Sequence, residues 1–128
     1  MRLFFFANIF MLFACQGPVQ ESNSSQKSSK LKVTEFKSEL NKLDDFYLID
    51  VRTPREFQAG AIEGAVNYNI SDGTLEEKLK DLDQNKPVLV YCAVGGRSAR
   101  AAKLLAEKGF QTVYDLKGGY NAWVASGK

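Results

Sequence analysis

Histidine is missing altogether from these 128 residues, and that absence removes more chemistry than any other feature of the composition. Without an imidazole the chain has no Ser–His or Cys–His nucleophile pair and no histidine-based metal site. Cysteine is nearly as scarce. Cys15 and Cys92 are the only two, too few for a zinc site and too far apart to match a metal-ligand spacing. Neither a metal nor a cofactor is expected. Charge of one sign is also lacking: 17 basic against 15 acidic residues leave a net +2. The basic residues form no dense cluster beyond Arg97 and Arg100, so no nucleic-acid partner is expected. No apolar run is long enough to cross a bilayer as a helix, which takes roughly 20 residues. Internal repeats are absent too, and the length fits one compact domain.

What apolar run there is lies at the start. Arg2 is followed by a segment from Leu3 to Phe13 that is apolar except for Asn8, which reads as an export signal over residues 1–14. Its end, Leu12-Phe13-Ala14-Cys15, resembles the lipobox of bacterial lipoproteins. That resemblance implies that Cys15 becomes the lipidated first residue of the mature chain. Gln16 to Lys30 is dominated by Ser, Gln, Asn and Lys, a composition that cannot build a core. Residues 15–30 are therefore expected to be a lipidated cysteine and a disordered tether, reaching about 20 Å as a coil. The expected location is the cell envelope, with a lipid anchor in a bacterial membrane, on the periplasmic side or in the outer membrane. Cys92 is then the only free thiol of the mature chain.

From residue 31 to residue 128 strand-like and helix-like segments alternate, the pattern of an α/β domain with a mainly parallel sheet. Thr34 is the expected N-cap of a helix carrying Phe36, Leu40 and Leu43 on one face. Strands are expected at 46–50, 65–68, 87–91 and 112–116, with the apolar 87–91 segment at the sheet centre. Pro54, Glu56 and Phe57 predict a loop and a short helical turn. Ser71 or Asp72 would cap a helix bearing Leu75, Leu79 and Leu82. A further helix is expected over 98–108 with Gly109 at its C′ position, and Gly118-Gly119 would turn the chain into a closing helix, 120–125, whose Trp123 anchors in the core.

The chemistry concentrates between the third of these strands, 87–91, and the helix after it. Cys92 ends the strand, and Ala93, Val94, Gly95, Gly96, Arg97 and Ser98 follow it. A strand, a tight loop and a helix N-terminus converge backbone N–H groups on whatever occupies the loop, which drives a thiol toward thiolate. Gly95 and Gly96 permit the curl. Arg97 either grips an anionic donor or sits outside the cradle. Ser98 either donates to the sulfur or caps the helix. By itself, a cysteine at a strand end is more often an inert core residue.

Four blocks in order settle which kind of cysteine this is. Asp50-Val51-Arg52-Thr53-Pro54-Arg55-Glu56-Phe57, Gly60-Ala61-Ile62-Glu63-Gly64-Ala65-Val66-Asn67, the Cys92–Ser98 loop and Leu116-Lys117-Gly118-Gly119-Tyr120-Asn121-Ala122-Trp123 together resemble the rhodanese-like family. The second block departs from the family pattern, with Ala61 and Glu63 at its usual His and Pro positions. The resemblance implies a five-stranded, mainly parallel rhodanese-like sheet with helices on both faces. It also implies a sulfurtransferase in which Cys92 carries a sulfane sulfur as a persulfide. Residues 93–98 would bind substrate, while Asp50, Arg52 and Glu56 would support the site, Arg52 pairing with Glu56. The donor would be thiosulfate or a persulfide, and the acceptor a thiol, cyanide or a persulfide-handling protein. The alternative is a sulfur carrier or protein-binding module without small-molecule turnover. Phosphatase loops that pair a cysteine with an arginine generally hold one residue more than the four between Cys92 and Arg97, which argues against phosphate chemistry.

Overall fold

The computed structural model describes residues 27–127. The signal, the lipidated cysteine and most of the tether expected from the sequence lie outside the described residues. The elements run β1 (Ser28–Leu31), α1 (Val33–Lys42), β2 (Tyr47–Asp50), α2 (Pro54–Ala59), β3 (Val66–Asn67), α3 (Thr74–Leu79), β4 (Val88–Tyr91), α4 (Gly96–Glu107), β5 (Val113–Leu116) and α5 (Gly119–Ala125). The strands form one sheet in the order β1-β5-β4-β2-β3, and every pairing is parallel. The sheet is thus parallel throughout rather than mainly so.

β4 is the centre strand, and all four of its residues are buried. A strand covered on both faces needs an unbroken apolar run instead of an alternating one, and Val88-Leu89-Val90-Tyr91 supplies it. Its side chains divide between two cores. Val88, Val90 and Cys92 pack with Leu75 and Leu79 of α3 and with Ala101, Ala102 and Leu105 of α4. Leu89 and Tyr91 face the opposite side, where Phe36 and Leu40 of α1 and Trp123 of α5 close over them. Trp123 meets the Phe36 ring edge-on at 6.4 Å, the packing role the sequence predicts for it.

Several boundaries differ from the sequence expectations for local reasons. β1 begins at Ser28, inside the segment expected to be tether. Its Ser-Ser-Lys-Leu carries no apolar signal, and it is a strand because its backbone pairs with β5 from Ser28↔Val113 to Leu31↔Leu116. α1 starts at Val33 with Lys32 at the N-cap, not Thr34; the Glu35 carboxylate accepts the Lys32 N–H at 2.9 Å. α3 is capped by Gly73, and Asp72 only receives the Thr74 N–H. The helix ends at Leu79, short of Leu82. Gly109 does stand just past the C-cap Lys108 of α4. α4 itself begins at Gly96, two residues earlier than predicted, and this changes the role of Ser98.

Candidate active site

The Cys92 side chain lies where β4 gives way to α4, and the thiol is buried. Gly95 is the N-cap of α4 at φ 121°, a conformation that L side chains avoid, and it turns its N–H back onto Cys92 Sγ at 3.0 Å. Ser98, in the first turn of α4, is fully buried with its Oγ 3.4 Å from the sulfur and 3.3 Å from the Gly95 carbonyl. It touches the sulfur rather than capping the helix. Burial pushes the thiol pKa up, but the Ser98 hydroxyl and the Ser98, Gly95 and Val94 N–H groups more than offset that push. The net result lies below the usual thiol value. The physics is that of an anion at a helix N-terminus: fixed donors and the positive end of the helix dipole favour S⁻ over S–H.

The loop is held from below by α5. The Tyr120 N–H donates to the Cys92 carbonyl at 2.7 Å, and the Asn121 N–H to the Ala93 carbonyl at 3.0 Å. That approach requires Gly119, whose φ is 61° and whose missing Cβ would lie 2.5 Å from the Cys92 carbonyl oxygen. The Gly118-Gly119 pair reads in the sequence as a turn; its closer duty is to let two backbones meet beneath the thiol.

Arg97 does not reach into the cradle. Its guanidinium grips Glu56 of α2 with two bonds, Nη1–Oε1 at 2.7 Å and Nη2–Oε2 at 2.9 Å. Glu56 is itself placed by a capping box at the start of α2, donating its backbone N–H to Thr53 Oγ1 and accepting the Thr53 N–H, both at 3.3 Å. Hydrogen bonding from Arg97 drops the Glu56 pKa to about 2, with burial acting in the other direction. The expected Arg52–Glu56 pair is therefore incorrect. Arg52 continues past β2 on the face shared with Tyr91, so it takes Asp50 at 2.7 Å and the Gly60 carbonyl at 2.6 Å, lying 4.4 Å from the Tyr120 ring centre. Asp50 and Arg52 stiffen the sheet end behind the loop, while Glu56 and Arg97 form the wall beside it.

Ala93 and Val94 complete the rim. Val94 is 67% exposed, an apolar side chain at the mouth of the thiol site. One residue behind Ser98 has no sequence signal at all: Asp115, buried on β5 and acted on by the Ser98 hydroxyl. Among the described residues no group of His, Cys, Asp or Glu is arranged to hold a metal.

Comparison with known proteins agrees with this geometry. The model of the Rhodanese-like domain family matches residues 32–126. An uncharacterized protein of Bacillus subtilis, YqhL, is 43% identical over 76 residues, which span 59% of this chain and 59% of that protein. A rhodanese-related protein of Thermoplasma volcanium superposes with a TM-score of 0.67 at 32% identity, over 77% of this chain and 92% of that one. A Rhodopseudomonas palustris protein of unknown function, described as a possible tyrosine phosphatase, superposes at 0.65 with 29% identity, over 77% and 81% of the two chains.

Proposed function

The chain belongs to the rhodanese-like domain family, and from that premise we propose that it is a sulfurtransferase working through a persulfide on Cys92. One observation carries the reading: a thiol whose pKa is held below normal by loop and helix donors and by no titrating base. Such a sulfur is ready as a nucleophile without a proton acceptor. Cys92 S⁻ attacks the outer sulfur of the donor; the donor's S–S bond breaks and its electron pair leaves with sulfite or with a thiolate. A thiol or cyanide then attacks the outer sulfur of the Cys92 persulfide, and Cys92 leaves as the thiolate it began as. Both steps concentrate negative charge at one point, where the Gly95 N–H and the α4 N-terminus are already aimed.

Of the two donor classes a persulfide is favoured over thiosulfate. The single cation of the loop is neutralised by Glu56, so Arg97 is not free to meet a dianion, and the exposed Val94 favours contact with an apolar or protein-borne donor. The same side chain supports a second reading, a carrier that accepts sulfur only from a protein persulfide. In either case the Cys15 lipid would hold the domain to a membrane in the cell envelope.

Intact mass distinguishes these. A gain of one sulfur on incubation with thiosulfate or a small persulfide, removed by cyanide and absent in Cys92→Ser, is expected for the enzyme. Loading only from a protein persulfide selects the carrier. Phosphate release from an aryl phosphate, with no sulfur uptake, overturns both. Cys15→Ser should move the protein from the membrane to the soluble fraction; unchanged fractionation removes the lipid anchor.

A further inference from the structure

Among the described residues one fully buried side-chain oxygen has no hydrogen-bond partner, Oδ1 of Asp115. The sequence Val113-Tyr114-Asp115-Leu116 gives no hint of it, since a lone acid in a short apolar strand ordinarily faces water. Here β5 lies between β1 and β4, with Asp115 opposite Lys30 on one side and Val90 on the other. Asp115 alternates in step with Val113, which belongs to the core containing Cys92 and the α4 side chains. The carboxyl consequently points to the α4 side of the sheet, where Ser98 is buried.

Burial of a carboxyl with one oxygen unpartnered favours its neutral form. Burial pushes the Asp115 pKa up, with the Ser98 hydroxyl and the Lys30 ammonium acting against it. The charged group acting on it is Lys30, its neighbour across the β1–β5 pairing.

We propose that Asp115 is a positioning residue for the nucleophile: as a neutral acid it donates its proton in a hydrogen bond to Ser98 Oγ and so frees the Ser98 hydroxyl hydrogen to point at Cys92 Sγ. Ser98 has one hydrogen and two takers, the Gly95 carbonyl at 3.3 Å and the sulfur at 3.4 Å. While Cys92 is a thiol, S–H donates to Oγ and the hydroxyl donates to Gly95. Once the sulfur is charged the hydroxyl turns to it, leaving Oγ with lone pairs that the carboxyl O–H fills. A donor into Oγ strengthens the bond that Oγ–H makes in turn. No proton enters or leaves Asp115 at any point. The device substitutes for the absent histidine without being a base.

The inference rests on Cys92 being the reactive sulfur of the proposed transferase, but its test does not require sulfur transfer. In full-length protein carrying Cys15→Ser, the rate of Cys92 alkylation by iodoacetamide is followed against pH, so the readout is thiolate alone. Asp115→Val is expected to slow alkylation at neutral pH about tenfold, the loss of support for one hydrogen bond to a charged group. Its thermal midpoint should hold or rise, because a buried carboxyl oxygen with no partner, Oδ1, has been removed. Asp115→Asn should keep the wild-type profile, since its amide N–H donates to Oγ as the acid does. Ser98→Ala should lose as much as Asp115→Val, and the double variant no more than either. An unchanged or faster profile in Asp115→Val overturns the proposal, as does faster alkylation in Asp115→Asn, which would mean a carboxylate repelling the sulfur. Additive losses in the double variant overturn it too. Normal profiles in a chain that moves no sulfur would leave this inference standing and remove the transferase.

Discussion

Two arginine–carboxylate pairs flank the loop, and they are built on opposite terms. Arg52–Asp50 is sealed behind the sheet, its side chains 5% and 0% exposed, while Arg97–Glu56 stands at the mouth, 27% and 34% exposed. Both are short, at 2.7 Å, so distance does not separate them. Solvent does. A sealed pair has already given up its hydration and depends on every partner it retains, and Arg52 spends its donors on Asp50 and the Gly60 carbonyl while its guanidinium lies over the rings of Tyr91 and Tyr120. An open pair is screened and adds little to stability. Its consequence is local charge: Arg97 is neutralised beside the Cys92 loop. One arginine thus holds the sheet end, and under the proposed function the other sets what approaches the sulfur.

Breaking the sealed pair should have the largest effect. Arg52→Ala leaves Asp50 as an uncompensated buried charge and should cost about 3–5 kcal/mol in urea unfolding. Replacing both, as Asp50→Leu with Arg52→Met, should recover most of that loss, because apolar side chains of similar volume need no partner. If the double variant is as unstable as the single one, the pair is not what holds this end of the sheet.

The two pairs also mark how far the sequence could be read. The parallel α/β architecture, the central strand and the thiol loop were legible because each is written in a local pattern: an unbroken apolar run, helical spacing, a cysteine before paired glycines. The partners of Arg52 and Arg97 were not. Asp50, Arg52 and Glu56 lie within seven residues of one another, and nothing in that spacing tells that Arg52 follows the strand to the Tyr91 face while Glu56 turns into α2. Only the fold brings Glu56 of α2 to Arg97 in the first turn of α4, 41 residues away. Gly119 and Asp115 were missed for the same reason, since each acts through a neighbour distant in the chain. β1 was missed because edge pairing asks nothing of side chains.

Opening the outer pair should change chemistry more than stability. Glu56→Gln is expected to cost about 1 kcal/mol or less. It should also release Arg97 toward the sulfur and improve thiosulfate use, lowering KM roughly threefold to tenfold by adding one charge-assisted contact. Use of a neutral persulfide donor should not move. Arg97→Ala should act the other way, leaving the Glu56 charge at the mouth and weakening thiosulfate use further. Parallel shifts for thiosulfate and persulfide would mean that the pair shapes the loop and does not select by charge.

The smallest expected effect is the acid response of that same pair. Glu56 titrates at about 2 in the folded chain, below its ordinary unfolded value of about 4.3. A depressed carboxylate stabilises the fold fully above its unfolded pKa and loses that contribution as pH falls through the folded one. Because the pair is part-exposed, the amount is screened to below about 1 kcal/mol. Asp115 acts oppositely: its raised pKa means the fold is favoured on the acid side and loses that advantage as pH climbs past the unfolded carboxylate range. Wild-type stability alone therefore mixes the two. The difference between wild type and Glu56→Gln cancels Asp115, and it should shrink steadily between about pH 5 and pH 2. A difference that stays constant over that interval would mean that folding leaves the Glu56 pKa unchanged, so that neither Arg97 nor Thr53 favours its charge.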